Sequence, residues 1–257
     1  MGGRASYSLR RGVSMGTHSA ELSSPQVRST GARHPAFFPA MSAVLIVIVF
    51  LGFAPTYYLR PSDAPSLPVY LHLHGAALTL WFSLLLIQTG LIASRRRALH
   101  RQVGVGGAAV AAAIVCLTPF VVVWAVPKFL TSGLPLQTVS LIVIGDLVAV
   151  VVFALLVVFA IRMRRVPATH SRLMLLASIP IVAPALGRMS IRLTGAPIAG
   201  LVIQMALPLL LVAHDVVMTG RVHRATAWGT AAVVGSMLLT IGVANTEAAR
   251  AFVRLLQ

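Results

Sequence analysis

Seven apolar stretches, each near 20 residues and each ended by a polar or arginine-rich break, leave this chain few folds to choose from. A stretch of that length crosses a hydrocarbon layer as a helix, and a helix satisfies its own backbone there without water. The stretches run over 41–59, 69–93, 101–126, 138–161, 171–191, 198–219 and 225–244. Composition agrees, because 58% of the 257 residues are hydrophobic and 10% are charged, against roughly a quarter charged in a soluble domain. The expected fold is an all-α membrane protein, a seven-transmembrane-helix bundle forming a single domain over 41–244. Residues 1–40 are rich in Ser, Gly and Arg without apolar periodicity and read as a disordered basic arm. Residues 245–257 read as a short outer tail.

The breaks set the expected direction of the chain. SRRRALHR (Ser94 to Arg101), RMRRVPATHSR (Arg162 to Arg172) and TGRVHR (Thr219 to Arg224) lie one helical hairpin apart. With five arginines in the arm and four, four and two in the breaks, these segments hold fifteen of the 21 Lys and Arg residues. The positive-inside rule assigns them to the cytoplasm. The amino terminus is therefore expected cytoplasmic and the carboxyl terminus outside, in a bacterial inner (plasma) membrane. Arg60, Lys128, Arg188, Arg192, Arg250 and Arg254 fall on or near the opposite side.

A net charge of +16 would suggest nucleic acid in a soluble protein. Here the arginines end apolar runs, and no separate soluble face is left to follow a phosphate backbone. The expected partner is the lipid bilayer and not nucleic acid, with a homo-oligomer or membrane-complex partners left open. Cys116, the single cysteine, permits no internal disulfide or thiolate metal cluster and reads as a small buried apolar residue. GVGGAAVAAA (Gly104 to Ala113) offers small residues four apart, a pattern that lets helices approach closely. No enzyme is legible: the chain shows no nucleophile with base and orienting acid, no phosphate loop and no paired catalytic carboxylates.

Polar residues inside membrane spans are expensive, so each calls for a partner or a role. His74, Trp81 and Gln88 are spaced by seven and share one face of the second span, expected to point into the bundle. Asp146 lies about two turns into the fourth span, and a carboxylate left unpaired at that depth is expected to take up a proton. Arg188, at a comparable depth in the fifth span, is its expected partner. The pair either pins two helices together or forms, with His72 or His74, an outer polar site for a proton, an anion or a cofactor propionate. Pro180 and Pro184 should kink the fifth span, making it the best candidate to line a cavity. At the opposite level, His100, His170 and His214 form a candidate inner cofactor site, for haem or a metal. The competing reading is that His100, His170 and His223 cap helices among lipid headgroups beside their arginine neighbours. Gln204 and Asp215, three turns apart, give the sixth span a polar face.

HLHG followed by Trp81 and Gln88, LHRQVG from Leu99, HSRLM from His170 and an arginine after paired prolines resemble a family of uncharacterised bacterial multi-pass membrane proteins. The likeness covers about residues 69 to 220 and brings no activity with it. A more distant likeness to transmembrane b-type cytochromes implies a single haem held by two of His100, His170 and His214. His72 and His74 share one helix with no histidine opposite, so no second haem is implied. Three functions stay open: a redox protein binding haem or quinone, slightly favoured by histidine placement; a proton-coupled small-molecule transporter using Asp146, Arg188 and the kinked fifth span; and a non-catalytic membrane subunit or scaffold.

Overall fold

Each apolar stretch becomes a helix. The computed structural model describes residues 36–195 and 197–256, and the regular structure among them is helical throughout. Helix α1 (Phe37–Phe53) runs into a π turn (Ala54–Tyr58) and is followed by α2 (Val69–Ala93), α3 (Arg97–Thr131) and α4 (Leu136–Arg162). The fifth span is built from α5 (Pro167–Ser178), a 3-10 turn (Pro180–Val182) and α6 (Ala183–Thr194). Then come α7 (Ile198–Thr219), α8 (Arg224–Ala244) and a short α9 (Glu247–Leu255). Seven of these helical segments are long and apolar enough to cross a membrane. The protein is thus an all-α, membrane-type helix bundle.

Several helices outrun their apolar runs. α3 starts at Arg97 and continues to Thr131 because RALH and PKFLT carry on the helical ladder beyond the apolar run. The first span opens at Phe37, inside the segment assigned to the amino-terminal arm. The disorder expected of that arm otherwise concerns residues 1–35, which lie outside the described residues. In the tail, Thr246 caps α9 by accepting the Ala249 amide at 3.2 Å. The fully buried Val253 seats α9 in a cluster with Val122, Val126, Val139 and Val143.

The fifth span is the hub. In its most apolar stretch 56% of residues are buried, against 33% or less in the other six spans. α5 packs on α4 and α8, while α6 packs on α1 and α7. Two glycines set how closely α6 is approached. A Cβ on Gly52 of α1 would fall 2.6 Å from the Ala185 backbone, and one on Gly200 of α7 would fall 2.7 Å from the Leu186 carbonyl oxygen. Only a residue with no side chain fits at either crossing.

The small-residue run of α3 does not serve this purpose. Val105, Gly106, Ala108, Ala109 and Ala112 are exposed, and a Cβ on Gly106 or Gly107 would meet nothing within 4 Å. α3 instead uses Ala111 and Ile114 in the core, so Cys116, expected to be buried, is exposed on the outer flank.

Candidate functional site

The break in the fifth span follows from its prolines. Pro180 has no N–H for the Leu176 carbonyl, which the Ile179 amide takes up at 3.2 Å. The Ile179 carbonyl accepts from the Val182 amide at 3.3 Å and from Gln204 Nε2 at 3.4 Å. Just before the break, Trp81 Nε1 donates to Ser178 Oγ at 3.1 Å, and that hydroxyl donates to the Met174 carbonyl at 3.0 Å. The buried side chains of Trp81 and Gln204, from α2 and α7, therefore stabilise an irregular backbone that would otherwise be costly in an apolar interior. This also confirms the inward direction of the His74, Trp81 and Gln88 face.

Beside the break lies a cavity of about 60 Å³, lined among others by His74, Thr118, Asp146, Ile181 and Pro184. That is room for one or two water molecules. His74 Nδ1 is buried without a hydrogen-bond partner. Asp146 is half-buried, and its carboxylate makes no hydrogen bond or ion pair among the described residues. An acid and an imidazole from two helices thus face one small space, neither engaged in holding the fold.

Of the other two members expected in this outer cluster, Arg188 is exposed with its guanidinium 4.9 Å from the Phe53 ring centroid, yet it stays within electrostatic reach of Asp146. No direct Asp146–Arg188 ion pair closes. His72 is exposed beside Tyr57, with ring centroids 5.9 Å apart, while the Tyr57 hydroxyl donates to the His72 carbonyl at 3.2 Å. Two residues apart on one helix, His72 and His74 fall on different faces, which is why only His74 reaches the cavity.

At the end carrying the arginine-rich turns, two of the three expected histidines meet. The His100 and His170 rings lie 6.2 Å apart, edge to face. His170 Nδ1 is 2.8 Å from the Ala160 carbonyl, a contact in which that nitrogen donates. Gln88 Nε2 donates to the His100 carbonyl at 3.2 Å, fixing the start of α3 against α2. His214 stands apart from this pair. It stacks on Phe37 with centroids 3.9 Å apart, and its Nδ1 is 3.7 Å from Asp215. The three-histidine site is therefore not assembled, and no group of three or more His, Cys, Asp or Glu residues able to hold a metal occurs among the described residues.

A polar node that sequence reasoning left unpaired occupies this same end. Asp215 is fully buried and receives Arg172 Nη2 at 2.5 Å and Nε at 3.1 Å. It also accepts the His223 amide at 3.1 Å and the Thr226 hydroxyl. The node joins α5, α7 and α8. Burial, reinforced by nearby Arg172, holds the His223 side chain below the usual histidine range. A neutral ring is what its role requires, since His223 Nδ1 accepts the Ala225 amide at 3.1 Å and so caps α8. The sequence did carry a signal for Asp215, its position three turns from Gln204. Arg172, however, looked like one more topology arginine. No protein-family model, curated protein or solved structure matches the chain.

Proposed function

We propose that this protein is a proton-coupled carrier of a small solute, with Asp146 as the titrating carboxyl, His74 as its polar partner and the proline-broken fifth span as the moving element. The observation that carries this reading is the cavity shared by Asp146 and His74, two ionisable side chains from α4 and α2 that no structural bond consumes. Ionisable groups in membrane spans that do not pair to hold helices together mark ion or substrate paths. A broken helix beside them supplies an element able to bend. Asp215 serves as the contrast, since its carboxylate is fully committed to Arg172, Thr226 and the His223 amide. In this reading the protein sits in a bacterial inner membrane with the arginine-rich end in the cytoplasm.

Reconstituted vesicles carrying a pH-sensitive dye test the proposal. A panel of small solutes should drive proton movement with the natural protein, and Asp146→Asn should lower the rate at least about tenfold while melting temperature and dispersity are kept. An unchanged rate in Asp146→Asn, or no proton movement with any solute, would sink it.

The redox reading retains two of its three histidines. It is favoured by the His170 Nδ1 contact to Ala160, which leaves Nε2 available as a ligand. A Soret band in the purified protein that is lost in His170→Ala would establish it over the carrier reading.

A further inference from the structure

The contact between His100 and His170 has a second effect, on charge. Because the two rings meet at 6.2 Å, the α2–α3 and α4–α5 turns are neighbours. Arg95, Arg96, Arg97 and Arg101 come from the first turn, and Arg162, Arg164 and Arg165 from the second. All seven are exposed. None of their guanidiniums has an ion-pair or side-chain hydrogen-bond partner among the described residues. Among the described residues, acids to neutralise them are lacking at this end. Asp63 lies in the 59–68 loop at the other end, Asp146 faces the cavity, Glu247 begins α9, and Asp215 is already held by Arg172.

Seven like charges on one small surface repel one another unless an outside anion sits among them. Guanidinium and phosphate match in charge and in donor geometry, and Arg is the side chain best shaped for that pairing. The surface also lies at the end of the spans, at headgroup depth, where basic pockets between helices take lipid phosphates. The arginines come as two groups, one from each of the turns that the imidazole pair brings together, which matches an anion carrying two phosphates better than one.

We propose that the joined α2–α3 and α4–α5 turns form a seat for an anionic phospholipid carrying two phosphodiesters, with one arginine group on each phosphate and the His100–His170 pair bringing the two groups together. Each arginine near such a surface contributes about a fivefold factor in lipid retention.

Native mass spectrometry of the full chain released from detergent tests this with four probes: diphosphatidylglycerol, phosphatidylglycerol, phosphatidylcholine and inorganic pyrophosphate. Diphosphatidylglycerol should be retained at least about tenfold better than either of the other lipids, and pyrophosphate should not displace it. The triple variant R95Q/R96Q/R97Q should cut retention by about 100-fold, the product of three such factors. R164Q/R165Q, in the second group, should cut it about 25-fold, and R221Q/R224Q, in the α7–α8 turn outside the two groups, should leave it within about threefold. All of these residues are exposed, so melting temperatures in neutral detergent should stay unchanged, and the second variant stands in if the first fails to fold. Equal retention of the three lipids, full displacement by pyrophosphate, or an equal loss in R221Q/R224Q would overturn the proposal.

Discussion

Asp215 shows how a single carboxylate ties three helices. It is fully buried and surrounded by donors from α5, α8 and the turn between α7 and α8. Asp215→Asn leaves the nearly buried Arg172 guanidinium, 11% exposed, without a counter-charge. Removing one partner of a buried pair costs about 3–5 kcal/mol, whereas apolar replacement of both can be close to neutral. Asp215→Asn should therefore lower the melting temperature in detergent sharply, and the double variant R172M/D215L should recover most of the loss. A melt that does not move in Asp215→Asn would show that the pair does not hold the bundle. Asp146 is the opposite case, a carboxyl with no structural bond, and its replacement should alter function while leaving the melt in place. Both acids were legible as buried polar residues. Their difference was not, because it depends on which groups come within bonding distance: Asp215 is bonded by Arg172 of α5, while Arg188 lies over the Phe53 ring and makes no direct bond to Asp146.

At the scale of the element, glycine placement decides how α6 is packed. Gly52 meets the Ala185 backbone too closely for any Cβ, so Gly52→Leu should force α1 off α6 and cost about 1–3 kcal/mol. Gly106→Leu, on the open flank of α3, should leave the melting temperature within a degree or two. If both variants melt alike, the α1–α6 crossing is not the tight one. The sequence pointed instead to GVGGAAVAAA, because four-residue spacing of small residues shows that a face is smooth but not what lies opposite. Span positions fared better. The apolar runs located all seven helices, and their ends moved where flanking residues continued the helical ladder, as at Phe37, Arg97 and Thr131.

Across the whole molecule, the hairpin periodicity of the arginine-rich turns sets the expected orientation. Single-cysteine variants in a Cys116→Ser background check it. A membrane-impermeant maleimide should label Ser62→Cys in intact cells and Ser94→Cys only after permeabilisation. The reverse pattern would invert the orientation. Membrane class and helix count could be read from the chain because both follow from composition along one dimension. The grouping of His74 with Asp146, and of His100 with His170, was legible only as a shared level; which members of each group meet depends on α2, α3, α4 and α5 packing side by side.

Arg192 links two of the irregular segments. Pro55 deprives the Leu51 carbonyl of its helical donor, and Arg192 Nη2 reaches from α6 to supply one at 2.6 Å, with a second bond to the Gly52 carbonyl at 3.1 Å. The π turn of the first span and the 3-10 turn of the fifth are thus two hinges on one plate. Through Arg192 the carboxyl-terminal half of the broken span is fastened to the end of α1, and Tyr57 fastens that end in turn to the strip of α2 that bears His72. Three spans therefore share one chain of polar clamps at the rim of the bundle.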